Sequence, residues 1–172
     1  AATSIDIVRH HVVTQELAEF NRYRAGELHV TSTVPPENFE QIRAEYADQL
    51  HIAPTLGVYY YGFNMTRPPF ADNPELRQAL SMAIDRKVLV EAITGRGEAP
   101  AYSWVPPGIH NYEPVQLPYA GLSQQERNAI AQSLYRKAGY SAEKPLRFEL
   151  RYNTSDTQQR IALAVQAMWR KV

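Results

Sequence analysis

Residues 59–107 read YYYGFNMTRPPFADNPELRQALSMAIDRKVLVEAITGRGEAPAYSWVPP, and the order of local signals in this stretch decides the fold. An aromatic, β-branched run, Val58 to Asn64, has the composition of a strand. Strand parity places Tyr59, Tyr61 and Phe63 on one face and Val58, Tyr60, Gly62 and Asn64 on the other, so one face packs and the other is free to line a cleft. A Pro68-Pro69-Phe70 turn follows. Asn73, Pro74 and Glu75 then supply an N-cap, a first-position proline and a carboxylate at the positive helix end, which together predict a helix whose Leu76, Leu80 and Ala83 face a core. Asp85 caps a second helix carrying Val88, Leu89, Ala92 and Ile93, and Gly95 and Gly97 mark its stop. Five prolines between Glu98 and Tyr119 exclude a long regular element there and predict an ordered loop.

Upstream, Ile5 and Ile7 alternate with Ser4 and Asp6, the pattern of a half-buried strand continuing toward Val12 and Val13. Leu17, Phe20, Asn21 and Arg24 lie at helical spacing between a Thr14 cap and a Gly26 stop. Leu28 to Thr31 reads as a brief strand. Pro35-Pro36 starts a helix with Phe39, Ile42, Arg43 and Tyr46 on one face. A short strand is expected at His51 to Ala53. Downstream, Ser123-Gln124-Gln125-Glu126 is a capping box, with Ile130, Leu134, Tyr135 and Ala138 as the apolar stripe and Gly139 as terminator. Leu146, Phe148, Leu150 and Tyr152 alternate with Arg147, Glu149, Arg151 and Asn153, predicting a strand with one wet face. Asp156 is the expected cap of a last helix that buries Ile161, Val165, Met168 and Trp169. Alternating strands and helices give an α/β class, and a helix running to Val172 without a stop signal reads as the edge of a fragment.

Composition excludes several functions. The 172 residues carry 44% hydrophobic and 21% charged side chains, and no apolar run approaches the roughly 18 to 20 residues of a membrane span. Eighteen basic and eighteen acidic residues cancel, so net charge gives no steering toward nucleic acid. With no cysteine there is neither a disulfide framework nor thiolate-ligated zinc. Phosphate-loop, nucleophile-elbow and HExxH patterns are absent. His10 and His11 are adjacent, which on a strand points them to opposite faces and prevents shared chelation. Asp72, Glu75 and Asp85 sit at helix starts, where capping and the macrodipole already account for a carboxylate. No catalytic residue, metal site or cofactor is expected. Two sets stay open from spacing alone. The Tyr59-Tyr60-Tyr61 run serves either a core or a ligand cleft, and Asn153-Thr154-Ser155-Asp156 is either a capping turn or a place where ligand meets a helix N-terminus.

Four blocks, FNRYRAGEL (20–28), YYYGFN with the following PPF and LRQALSMAIDR, AYSWVPPG (101–108), and AGYSAEKPL preceding LRYNTSDTQQRIALAVQAMW, resemble the oligopeptide-binding proteins of bacterial peptide importers. The resemblance implies part of a two-lobed periplasmic-binding-protein fold of type II, with mixed sheets flanked by helices. Residues 1–55 correspond to the end of one lobe and 56–172 to the first part of the second, peptide-binding lobe, within a longer protein. It implies an exported, periplasmic, monomeric protein that encloses a peptide and presents it to an inner-membrane ABC permease, without making or breaking a bond. Tyr60 matches a family position facing the ligand, and Asn153 an asparagine that contacts it. Three positions depart from the family: Gly62 where a glutamate is usual, Thr94 where a lysine receives a peptide carboxylate, and Gln158 where a histidine has a similar role. Arg96, two residues beyond Thr94, is the expected substitute carboxylate partner. Tyr61, Asn64 and Gln158 complete the candidate ligand set. Cell-wall peptide is the favoured special case. A non-peptide solute (an opine, a nickel complex or a sugar) and a peptide hydrolase are the alternatives.

Overall fold

The computed structural model describes residues 4–53 and 55–172. Its helices are α1 (Glu16–Arg24), α2 (Phe39–Glu45) behind a 3-10 turn (Pro36–Asn38), α3 (Pro74–Ala83), α4 (Arg86–Val88) running into a π-type turn (Leu89–Thr94), α5 (Gln124–Lys137) and α6 (Asp156–Trp169). Among the described residues no helix is long and apolar enough to cross a membrane.

The predicted caps account for the starts of α3, α4 and α5. Asn73 Oδ1 accepts from the Leu76 N–H at 3.1 Å, and Asp85 Oδ1 from the Val88 N–H at 3.1 Å. Ser123 and Glu126 form the reciprocal box: the Ser123 N–H donates to Glu126 Oε2 at 2.7 Å, and the Glu126 N–H returns to Ser123 Oγ at 3.3 Å. Beyond Val88 the helix widens, so that the Gly95 N–H reaches the Val90 carbonyl at 2.9 Å. Gly95 then ends it in the left-handed region, φ 62°.

Three helical expectations need correction. α1 starts behind Gln15, not Thr14, and Gln15 makes no side-chain cap bond. In α6 the N-cap is Ser155, whose hydroxyl accepts from the Gln158 N–H at 3.2 Å, and Asp156 is the first helical residue, its carboxylate at the positive end of the dipole. In α5 Ile130 faces solvent while Ala131 and Arg127 turn inward. Ala131 packs with Met82 and Ala83 of α3, a close approach that takes a small side chain; Ile130 lies about 100° further round the helix. Arg127 is tolerated inside because its guanidinium donates to the Leu122 carbonyl at 2.6 Å and to Gln124 Oε1 at 3.0 Å, and lies 5.1 Å over the Tyr102 ring.

No β ladder forms among the described residues, so the mixed sheets implied above have no pairing here. Segments 28–31, 51–53, 58–64 and 146–153 are neither helical nor paired. Alternation reports which face is buried; pairing needs a second backbone about 4.8 Å away. The burial pattern itself holds over 146–150, where Leu146, Phe148 and Leu150 are half-buried and Arg147 and Glu149 exposed. It fails at the amino end, where Ile5, Ile7 and Val12 lie 69%, 73% and 95% exposed.

Two apolar clusters hold the larger part together. One joins Phe70, Leu76 and Leu80, and the other Met82, Ala83, Tyr119 and Ala131. Trp169 packs on both and donates its indole N–H to the Leu80 carbonyl at 2.9 Å, fastening α6 to α3. Earlier in the chain, Phe20 of α1 meets Tyr46 edge-on at 5.9 Å, beside buried Phe39 and Ile42 of α2.

Candidate functional site

Segments 59–64 and 148–153 run along the two sides of a groove of about 600 Å³. The groove floor includes Phe70 and Trp169, and Gln158 from the first turn of α6 closes one side. Of the six candidate ligand residues, Tyr60, Tyr61, Asn64, Asn153 and Gln158 all line it. Arg96 does not.

Each lining residue has a different freedom. Tyr60 is 58% exposed, its ring 4.5 Å from that of Trp104, and among the described residues its hydroxyl has no partner. The Asn153 side chain is exposed and likewise unpartnered, while its carbonyl accepts from the Ser155 N–H at 2.8 Å, which fixes the turn into α6. Asn64 Oδ1 is committed locally, accepting from the Thr66 N–H at 3.0 Å and the Thr66 hydroxyl at 2.7 Å. Gln158 accepts a hydrogen bond from the Tyr59 hydroxyl, so the two sides of the groove are tied at that point. Tyr61 stands edge-on to Tyr59 at 5.5 Å with its hydroxyl buried and unpartnered; burial pushes that phenol well above its ordinary range, and it stays neutral. Tyr60 and Asn153 therefore keep free donor and acceptor capacity at the groove, and Tyr60 adds an aromatic ring to its lining.

Arg96 lies at a second polar cluster. Its Nε donates to Glu98 Oε1 at 3.2 Å, its Nη1 to the Val34 carbonyl at 3.2 Å, and Glu16 Oε2 is 3.8 Å from Nη1. Thr94, which stands at the family's lysine position, is buried and donates its hydroxyl to Glu98 Oε2 at 2.9 Å. Burial raises the Glu98 carboxyl, but hydrogen bonds from backbone N–H groups and Thr94, with the Arg96 charge, bring it below its ordinary value. The Arg96 guanidinium is thus already occupied by carboxylate and carbonyl oxygens of the chain. Sequence reasoning missed Trp104, Glu16 and Thr157. Trp104 carried one signal, a lone tryptophan in a proline-rich loop, whereas contacts such as Glu16 to Thr157 join residues too far apart for local spacing to register.

A groove bounded by two unpaired segments and a helix start, offering unpartnered polar groups beside aromatic rings, has the features of a solute-binding cleft. The chain belongs to the bacterial extracellular solute-binding proteins, family 5 Middle, whose model matches residues 1–172. It is 39% identical over 171 residues to the periplasmic murein peptide-binding protein MppA of Escherichia coli strain K12, covering 99% of this chain and 32% of that protein. To the periplasmic oligopeptide-binding protein OppA of the same organism it is 38% identical over 172 residues, again covering 99% and 32%. The chain thus spans about a third of the length of these relatives. Its structure matches that of the E. coli murein tripeptide binding protein MppA with a TM-score of 0.88 at 40% identity, covering 92% of this chain and 31% of that one. Against the unliganded open form of MppA, with the same identity and coverage, the TM-score is 0.71.

Proposed function

We propose that this chain is part of a monomeric periplasmic solute-binding protein that captures peptides in a cleft and delivers them to an inner-membrane ABC permease. The observation that carries the reading is that Tyr60 and Asn153, the two ligand-facing positions implied by the family resemblance, line one groove with their side-chain polar groups unpartnered. Broad peptide recognition needs fixed groups for the peptide backbone and room for varied side chains, and this groove offers both. The relatives named for murein peptide and oligopeptide binding support a peptide as the solute. The role is binding without catalysis, and it uses no cofactor.

The surface supports membership of a larger body. The chain exposes 12553 Å², against the roughly 8,600 Å² expected of a self-contained monomer of its 19.6 kDa mass. In this reading residues 1–55 belong to one lobe and 56–172 to the other, and the unpaired segments 58–64 and 146–153 are strands of a mixed sheet whose pairing partners come from the remainder of the protein.

The test is calorimetric titration of the full-length protein, folded and ligand-free, with di- to pentapeptides including murein tripeptide. Saturable heat with the peptide recovered intact is expected. No heat with any member overturns the peptide reading, and recovery of cleaved peptide overturns the binding-only role.

A further inference from the structure

Four polar contacts join residues 1–55 to residues 56–172. Thr157 Oγ1 donates to Glu16 Oε1 at 2.8 Å, Arg160 Nη2 donates to Glu37 Oε2 at 2.9 Å, Arg96 Nη1 donates to the Val34 carbonyl at 3.2 Å, and the same nitrogen lies 3.8 Å from Glu16 Oε2. Thr157 and Arg160 sit in the first two turns of α6, and Thr157 immediately precedes Gln158 of the groove. Two of the four contacts and the candidate ligand site therefore share one end of one helix.

We infer that Glu16, with Thr157 and Arg96, and Glu37 with Arg160, form a reversible latch that holds the two lobes together over the bound solute. This rests on the proposed lobe assignment and concerns the regulation of the same site. Permanent interfaces are apolar and packed like a core, whereas interfaces that open are more polar. Here the hydrogen bonds and the ion pair across the junction are accompanied by only a few apolar residues, Pro36, Phe39, Ala92 and Ile93, around the cavity between its sides. That cavity of about 260 Å³, lined from one side by Glu37 and Phe39 and from the other by Glu91, Thr94 and Arg160, leaves the junction loosely packed. Glu16 Oε2 is buried and lacks a hydrogen bond, and 3.8 Å to Arg96 is too long for one. The ion pair is consequently weak enough to part. Its side chains are 13% and 22% exposed, so it is also sheltered enough to count once formed. The arrangement is nearer to one MppA structure than to that protein's unliganded open form.

Spin labels on cysteines introduced at exposed Gln41 and Ser133 of the full-length protein, with any cysteine outside residues 1–172 replaced by serine, report the lobe separation by dipolar spectroscopy; residues 1–172 carry none. Glu16→Gln is expected to shift the population toward the longer separation and to speed release of any bound peptide about tenfold, with little change in association rate. Glu37→Arg and Arg160→Glu singly are expected to shift the population the same way by about twofold to fivefold, and together to restore the wild-type distribution. A fold-stability role alone predicts no such restoration. Unchanged distributions in Glu16→Gln and both single variants overturn the latch, as does a wild-type protein that never populates the shorter separation with or without murein tripeptide. Failure of the wild type to bind any peptide removes the peptide reading alone, since the distance distributions of the ligand-free protein still decide the latch.

Discussion

Asn153 and Tyr60 are where single side chains meet the solute in the proposed reading, and neither contributes to a core. Each is exposed, and each polar group is unpartnered among the described residues. A hydrogen bond nets about 0.5–1.5 kcal/mol. Asn153→Ala and Tyr60→Phe are therefore each expected to weaken peptide affinity by about twofold to tenfold in calorimetry, with Tm unchanged within about 2 °C. Unchanged affinity for both variants takes these residues out of the site. Glu126 allows a pH experiment. Hydrogen bonds from the Ser123 hydroxyl and N–H hold its carboxyl below the ordinary 4.5. A carboxyl lowered in the folded state makes the unfolded chain the better proton binder in that window, so its contribution is present above pH 4.5 and is lost as pH falls through the lowered value. Wild type is expected to lead Glu126→Gln in denaturant midpoint at neutral pH, and that lead should shrink below pH 4.5. A gap that does not vary with pH removes the linkage. At this scale the sequence was readable where a residue's neighbours decide its role, as for Ser123 with Glu126. It was silent where the partner is remote, as for Arg96, whose contacts with Glu16 and Val34 no local pattern encodes.

Helices were legible and strands were not, and the difference is physical. A helix is satisfied within its own segment, so Asn73-Pro74, the Ser123 box and Gly139 define starts and stops that survive in three dimensions. A strand needs another backbone, so the alternation at 146–150 foretold burial without foretelling pairing. Even within helices the buried face depends on the partner: Ala131 is fully buried in the α3–α5 contact although Ile130 is the more hydrophobic residue. That contact gives the prediction for this scale. Ala131→Leu has no space to enter beside Met82 and Ala83 and is expected to destabilise by about 1–3 kcal/mol in denaturant unfolding. Ile130→Ala, at a 38% exposed position, should cost less. The reverse order of the two variants refutes the observed register of α5 on α3.

The surface excess bears on how the whole molecule is stabilised. Of the 12553 Å² exposed, part is apolar side chain that an isolated globule would bury: Ile5, Ile7, Val8 and Val12 at the amino end, Val30, and Ile52 and Leu56 between the proposed lobes are all at least 60% exposed. Seven large apolar side chains so exposed within the first 56 residues are surface that contact with other protein would bury. In the proposed reading the rest of a longer binding protein covers it. Residues 1–172 expressed alone are therefore expected to bind the dye ANS strongly and to self-associate, while the full-length protein at equal molarity binds little dye and stays monomeric. Fluorescence titration with light scattering reads both. Weak dye binding by a monomeric 1–172 chain means that its apolar residues repack against one another. In that case the arrangement of residues 1–55 on 56–172 is set within this chain, and the latch contacts follow from its own folding rather than from closure of a larger cleft.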